Sequence, residues 1–447
     1  MRIGIEAHVG LSTKSKVFCS CPTAVSEEPN TNVCETCLGL PGSKPVLNKE
    51  ALNQAIKVAL ALNCNIAKET FFSRKNYFYP DLSKNFQITQ YEIPIGQKGE
   101  FEKINIKRIH LEEDPGALIH KGSTCLIDYN RSGIPLIEIV TEPDFKSPNE
   151  VRLFLRKLIT MLGYLNVYSR KNEATMKADA NISTTGAKVE IKNITGLREI
   201  ERALEYEAGI QEKEPSKKQE TKRWDSESQK TTIMRTKETE DDYGYIMDSD
   251  LPKFEISKEL ISQLKSEIPE LGLEKTSRFQ KQYKLKKEDS EILASEKKLA
   301  ELFEEVAKKI NPELAAKWLI RDLQKIIHYN KTTINEVNLD ARYVIELLDL
   351  FEKNKITDKT VKDLLIELIK KPFSPKEYVK KHNLEIVSGN LIDNMCKEVV
   401  KENLNAVEDY KKGNEKSIHL LTGQVMRKSK GTANPKEVEK ILKNLIK

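Results

Sequence analysis

The segment Asp128-Tyr129-Asn130-Arg131-Ser132-Gly133-Ile134-Pro135-Leu136-Ile137-Glu138-Ile139-Val140-Thr141-Glu142-Pro143 joins a polar loop to a β-branched strand carrying one acid, Glu138. A carboxylate inside such a strand is costly to bury unless a cation or a metal faces it. A second acid-rich stretch lies just upstream, Arg108-Ile109-His110-Leu111-Glu112-Glu113-Asp114-Pro115-Gly116. Near the start, Ile3-Gly4-Ile5-Glu6-Ala7-His8-Val9 alternates as a strand does, which puts Glu6 and His8 on one face. Acids and an imidazole on neighbouring strands can hold a divalent cation. Mg²⁺ takes a few carboxylates and completes its shell with water and phosphate oxygens. A surface Glu–His pair is the commoner outcome of such spacing, and spacing does not say which acids converge. Taken together, these segments read as a site for a metal and a phosphate.

Bases, amides and aromatics crowd Phe72-Ser73-Arg74-Lys75-Asn76-Tyr77-Phe78-Tyr79-Pro80-Asp81-Leu82-Ser83-Lys84-Asn85-Phe86 without a helical period. The bases can neutralise phosphate oxygens, and the amides can orient a nucleotide or an acyl group. The plainer alternative is a loop with core aromatics and solvated bases. Asp179 and Asn181 share a strand face further on. No P-loop, GxGxxG or GxSxG elbow occurs, so nucleotide chemistry here does not use the common folds. Cys19-Ser20-Cys21 and Cys34-Glu35-Thr36-Cys37 bring two close thiol pairs into one short loop. That pattern suits a closed tetrahedral Zn²⁺ site with no open position for catalysis. Reduced, unliganded cysteines or a redox disulfide are the alternatives.

Elements must position these groups. At 447 residues the chain should hold two or three domains. Short β-branched runs at 2–9, 104–111, 136–140 and 189–191 mix with helical stretches at 49–62, 149–162 and 198–209. A polar connector follows at 211–222. This predicts an α+β domain over 1–270. Beyond it, apolar residues recur at helical spacing in 290–308, 314–327 and 344–351, which predicts an all-helical domain over 271–390. A small helical tail domain, 391–447, should contain helices at 394–410, 417–428 and 435–446. A turn falls at Gly413, Asn434 caps the last helix and Pro435 opens it.

Charged residues make up 32% and hydrophobic residues 38%, which fits a soluble protein, and no apolar run approaches a membrane span. The start, Met1-Arg2-Ile3-Gly4-Ile5-Glu6, has no signal or transit pattern, so a cytoplasmic location is expected. The odd count of 7 cysteines argues against a disulfide framework. The net charge of +6 says little, but Arg427, Lys428, Lys430, Lys436, Lys440, Lys443 and Lys447 cluster at the end. They could track phosphates or line a solvated helix face.

Glu6-x-His8, Arg74-Lys75-Asn76-Tyr77-Phe78-Tyr79-Pro80-Asp81, His110-Leu111-Glu112-Glu113-Asp114 and the 128–143 segment resemble the GatB/GatE family, the B subunits of tRNA-dependent amidotransferases. Asp179-Ala180-Asn181-Ile182-Ser183, Glu190-Ile191-Lys192-Asn193, Arg223-Trp224-Asp225, Gly423-Gln424-Val425-Met426 and Gly431-x-Ala433-Asn434-Pro435 extend the likeness over nearly the whole chain. The resemblance implies a cradle-shaped catalytic domain, then a helical part and a tail, together YqeY-like, whose tail contacts tRNA. It implies a carbon–nitrogen ligase of protein biosynthesis that uses ATP and Mg²⁺ to phosphorylate the side-chain carboxylate of Glu-tRNA(Gln) or Asp-tRNA(Asn). Ammonia channelled from a glutaminase partner then displaces the phosphate. Implied partners are an amidase (A) subunit and a small C subunit in a heterotrimer, together with the mischarged tRNA.

By the same resemblance, Glu6, His8, Glu113 and Glu138 are the catalytic Mg²⁺ candidates. Arg74, Lys75, Asn76, Lys84 and Arg131 are the expected contacts to ATP, phosphate or acyl acceptor. Cys19, Cys21, Cys34 and Cys37 are the zinc knuckle, and Arg427, Lys428 and Lys430 are tail contacts to tRNA. Replacing Glu113 or Glu138 by Ala is expected to abolish phosphoryl transfer and leave the fold largely intact.

Departures from the family pattern fall at Ala174-Thr175-Met176-Lys177-Ala178, where Gly-Ser-x-Arg-Cys is usual. Others fall at Gly244 and Ile246-Met247 beyond Asp241-Asp242-Tyr243, and at Asn414. Two rival readings are the related E subunit, for whose inserted domain the run after Pro252 leaves no room, and a zinc-stabilised tRNA-binding scaffold without catalysis. No Ser-Ser-Gly-Gly nucleophile loop is present, so the chain should not make its own ammonia.

Overall fold

A computed structural model describes residues 1–168, 176–236, 244–387, 389–429 and 431–446. Ala174, Thr175, Asp241-Asp242-Tyr243, Lys430 and Lys447, all singled out above, lie outside them. The chain divides into two compact units, Met1–Leu271 and Gly272–Lys447. The first is α+β and the second is built of helices.

In the first unit a 9-stranded sheet runs in the order Lys230–Thr236, Glu220–Asp225, Val189–Thr195, Lys177–Ser183, Arg2–Gly10, Pro135–Thr141, Ile104–Glu113, Gly96–Phe101, Asn65–Ile66. Neighbours are antiparallel except Val189–Thr195 and Glu220–Asp225, which are parallel and joined through the Leu197–Lys213 helix. The amino-terminal strand therefore lies at the centre. Ile3, Ile5, Ala7 and Val9 point to one face, with Ile137, Ile139, Ile109, Leu111, Ala178, Ala180 and Ile182 beside them, all buried. Each buried Ile or Leu contributes roughly 1.5–3 kcal/mol. A slip of one residue in register would turn that whole set to the polar side. Apolar burial on one face thus locks the register of the polar residues on the other.

Helices Lys49–Ala61 and Leu197–Lys213 pack on the sheet, and Pro148–Tyr164 lies against the latter. Their starts follow local chemistry. Asn48 accepts hydrogen bonds from the Glu50 and Ala51 amides, and Ser147 accepts from the Glu150 amide ahead of Pro148 in the first turn. A separate 3-stranded sheet holds Gly244–Met247, Ser73–Asn76 and Phe86–Thr89.

The expected connector at 211–222 is only partly a connector. Its end begins the strand Glu220–Asp225, a charged sequence with weak strand character. Tertiary contacts hold it there: Thr221 and Lys222 are buried, and Lys222 Nζ lies 2.9 Å from Glu207 Oε1 on the crossing helix.

In the second unit, the single helix expected at 394–410 is two, Asn390–Glu402 and Leu404–Lys411. They part at Asn403, whose backbone turns to φ −127° and whose side-chain amide donates to the Val399 carbonyl at 2.8 Å. The run at 314–327 is continuous helix with a widened π turn over Trp318–Leu323. Ile392, Cys396, Val399, Ile418, Leu421, Val425, Ala433, Val438, Leu442 and Ile446 form a buried cluster of their own. The Pro435–Ile446 helix starts as the sequence predicts, with Asn434 accepting from the Lys436 amide. Among the described residues no helix is long and apolar enough to cross a membrane.

Candidate active site

Strand register builds the site. Lys177, His8, Glu138 and His110 are successive partners across four strands and so share one face of the sheet. Glu112 lies one pleat along from His110, and Glu6 faces Asp179 one pleat along from His8. His8 Nε2 is 3.1 Å from Glu138 Oε2 and 3.9 Å from Glu112 Oε1. His110 Nε2 is 3.6 Å from Glu112 Oε2 and 3.7 Å from Glu138 Oε2, and Arg108 Nη2 is 3.7 Å from Glu138 Oε1. One ligand atom each from His8, Glu112 and Glu138 lies within 4.8 Å of the others, and the same is true of Glu6, Asp179 and Glu190. In this second group Lys192 Nζ is 3.5 Å from Asp179 Oδ2 and 3.3 Å from Glu190 Oε1. Asn181 donates to Glu6 Oε1 at 3.1 Å.

Electrostatics set the two groups apart. Burial opposes a charge on His8, but its hydrogen bond to Glu138 and the carboxylates of Glu138, Asp179 and Glu112 outweigh it and raise the imidazole to about 10. Burial would likewise raise Glu138, yet His110, His8 and Arg108 hold it well below the usual carboxylate range. Glu6 goes the other way, raised first by burial and then by Glu138, Asp179 and Glu190.

These shifts predict a pH dependence for the metal-free chain. A raised His8 stabilises fully below its unfolded value of 6.5 and loses that contribution as pH climbs through about 10. A lowered Glu138 stabilises above its unfolded value of 4.5 and loses its contribution as pH falls through its lower folded value. The pair is therefore strongest between 4.5 and 6.5. From 7 to 10 the loss should approach about 1.4 kcal/mol per pH unit. Urea midpoints measured across that range should fall for the wild type and stay nearly flat for His8→Asn. Parallel curves would refute the shift.

The expected metal quartet is not one group. His8 and Glu138 meet, and Glu6 belongs to the neighbouring group with Asp179 and Glu190. Glu113 is turned to the opposite face: its Oε2 accepts from Lys84 Nζ at 2.6 Å and its Oε1 from the Ile88 amide at 2.8 Å. Glu112 stands where Glu113 was expected. Adjacent residues of a strand point to opposite faces, so only one of the two could join His110. Extending the predicted strand from 111 to 113 would have revealed this.

The expected phosphate contacts are also engaged within the chain. Arg74 grips Asp248 with Nε at 2.9 Å and Nη2 at 3.2 Å. Lys84 is held by Glu113, and Arg131 Nε lies 2.9 Å from Asp114 Oδ2. Asn76 donates to the Gly244 carbonyl, and Lys75 Nζ lies 5.6 Å from the centre of the Tyr77 ring. Lys177, which was not expected in the site, stands opposite His8 without a hydrogen-bond or ion-pair partner among the described residues.

Comparison with known proteins decides what these groups belong to. Residues 1–262 match the GatB/GatE catalytic domain model and residues 301–446 the GatB domain model. The chain belongs to the GatB/GatE family. Its similarity to family members runs end to end. It is 41% identical to the B subunit of the aspartyl/glutamyl-tRNA(Asn/Gln) amidotransferase of Thermotoga neapolitana, over 99% of this chain and 98% of that protein. It is 43% identical to the counterpart of the same name from Methanothermobacter thermautotrophicus, over 100% of both chains.

Two further features of this family member are its cysteines and the bases of its tail. Cys19, Cys21, Cys34 and Cys37 bring their sulfurs within 4.8 Å of one another, and none is in a disulfide. The Cys34 amide donates to Cys37 Sγ at 3.1 Å at the start of the short Glu35–Leu38 helix. In the tail, Arg427 is exposed, whereas Lys428 Nζ lies 2.8 Å from Glu402 Oε1 and 3.1 Å from Glu398 Oε2.

Proposed function

We propose that the chain is the B subunit of a tRNA-dependent amidotransferase. It phosphorylates the side-chain carboxylate of Glu-tRNA(Gln), Asp-tRNA(Asn) or both with ATP, and ammonia then displaces the phosphate to leave the amide. The observation that carries this reading, in a chain of this family, is the partly buried His8–Glu112–Glu138 group. Two polar atoms beside it, His110 Nδ1 and Arg108 Nε, are buried without a hydrogen-bond partner among the described residues. Buried polar atoms nearly always have a partner, so these two call for an explanation, which a ligand in the site would supply.

An imidazole and two carboxylates fit Mg²⁺, with room for water and phosphate oxygens in its shell. Bound there, Mg²⁺ would neutralise charge on the transferred phosphoryl group. His8, Glu112 and Glu138 would hold the ion. Lys177 brings an uncommitted ammonium into the same row for a phosphate or acyl carboxylate oxygen. Lys192 already balances part of the charge of Asp179 and Glu190. Arg74, Lys84 and Arg131 act by holding Asp248, Glu113 and Asp114 in place.

The four cysteines suit Zn²⁺, in a closed tetrahedral site that supports the fold. Ammonia would come from an amidase partner, with a small C subunit completing a cytoplasmic heterotrimer. Arg427 is the better tRNA contact in the tail, because Lys428 already meets two carboxylates. Arg427→Ala should weaken tRNA binding and lower its salt slope by about one, and Lys428→Ala should do less. Equal losses in filter-binding titrations over a salt series would contradict that ranking.

The test of the function supplies the chain with ATP, Mg²⁺, ammonium chloride and each mischarged tRNA, with and without the amidase and C subunits. Appearance of Gln or Asn on the tRNA, with one ADP per amide, supports the reading. tRNA binding with neither product, even in the complete assembly, leaves the non-catalytic scaffold.

A further inference from the structure

Lys16 is fully buried, with its ammonium against Cys37 of the four-cysteine group. Its ammonium has three donors and three acceptors: the Asn32 carbonyl at 2.7 Å, the Tyr129 carbonyl at 3.4 Å and Cys37 Sγ at 3.7 Å. No carboxylate oxygen of the described residues comes within 4.0 Å of it. A buried ammonium needs an opposite charge nearby. Four thiolates around a divalent metal carry two net negative charges, and Cys37 is the one metal-ligating side chain Lys16 touches.

We propose that Lys16 is a positioning residue that makes the order of the 128–134 loop depend on the metal held by the four cysteines. This rests on the zinc reading given above. The lysine stem also lies under the loop: a Cβ on Gly133, whose φ is +85°, would meet Lys16 Cδ at 3.4 Å. Other bonds join the same two segments. Asn30 receives the Tyr129 amide on Oδ1 at 2.7 Å and gives its own amide to Asp128 Oδ1 at 3.0 Å. The Asn32 amide donates to Asn130 Oδ1 at 2.7 Å, and the Val17 amide donates to the Gly133 carbonyl at 2.9 Å.

What the loop carries gives the link its consequence. Arg131 holds Asp114, and the Gly133 amide donates to the Asp114 carbonyl at 2.9 Å. Asp114 follows the strand that presents His110 and Glu112. Losing the metal leaves the Cys37 sulfur unfixed, so its contact with Lys16 loosens, the Tyr129 carbonyl slackens with it, and the strand end next to the carboxylate group is held less firmly.

Hydrogen exchange read by mass spectrometry tests this without tRNA or catalysis. The protected amides are those of Ser132, Gly133 and Ile134, which donate to Tyr129, Asp114 and Arg131 carbonyls. Wild type and Lys16→Met are each compared zinc-loaded and stripped by a chelator, with zinc content measured alongside. Stripping should raise wild-type exchange at these amides at least ~10-fold. Loaded K16M should already show the raised exchange, and stripping it should add less than about twofold. K16M should also release zinc to a chromophoric chelator at least ~10-fold faster. A stripped wild type that keeps its protection overturns the proposal, as does a loaded K16M that matches loaded wild type. If K16M fails to fold, the wild-type pair decides alone. A chain that binds no zinc fails the zinc reading itself, which the metal content distinguishes from zinc bound with an indifferent loop.

Discussion

Glu138→Gln should lower acyl-tRNA-dependent ATP cleavage by at least ~1,000-fold and remove one bound Mn²⁺ per chain. The side chain keeps its shape but loses the charge that faces His8, His110 and Arg108. Without that charge His8 falls back from about 10 toward its ordinary value. More important, on the proposed function an ion held there to neutralise the phosphoryl group would lose a carboxylate, where electrostatic stabilisation is commonly the largest catalytic contribution. Glu112→Gln should behave in the same way, because its carboxylate completes the same three-residue group. Counting Mn²⁺ by electron paramagnetic resonance separates loss of metal from loss of fold. Near-normal turnover in either variant would remove that residue from the ion's shell.

Glu113→Gln should produce the opposite pattern, with the metal retained and the fold weakened by about 3 kcal/mol. Both carboxylate oxygens of Glu113 are engaged, by Lys84 Nζ and the Ile88 amide, and both side chains of the ion pair are at most 9% exposed. Removing one partner leaves a buried charge without compensation. For a unit of this size that corresponds to roughly 5 °C in melting temperature. Lys84→Met should cost about as much, and the double variant should lie closer to wild type than the sum of the two predicts. Strict additivity in thermal melts would show that the ion pair carries no coupling. Turnover in Glu113→Gln should fall only modestly below its unfolding temperature. A complete loss, with the melt unchanged, would restore Glu113 to the catalytic set.

The contrast between Glu112 and Glu113 shows what could be read from the residues alone. Alternation in 3–9 and in 136–140 put Glu6 and His8 on one face and Glu138 on a buried strand, because a pleat has a period of two whatever surrounds it. The four cysteines announced their cluster by spacing, since close thiol pairs in a short loop have few other arrangements. The cap at Asn434 was local too. The strand Glu220–Asp225 was not legible, because its stability comes from Lys222 meeting Glu207 on another element rather than from its own propensity.

Cation assignments were the least legible part of the site. Arg74, Lys84 and Arg131 have the chemistry of phosphate ligands, but the fold brings a carboxylate to each within 2.9 Å. Lys177 stood out in the sequence only as part of a segment that departs from the family pattern, and it faces His8 without a hydrogen-bond or ion-pair partner among the described residues. Sequence determined the family, the strands with their polar and apolar faces, and the supply of acids, histidines and thiols, all of which follow from side-chain type and local period. Tertiary structure decided which acids converge and which cations stay uncommitted, because that depends on the register between strands distant in sequence, set by apolar packing on the far side of the sheet.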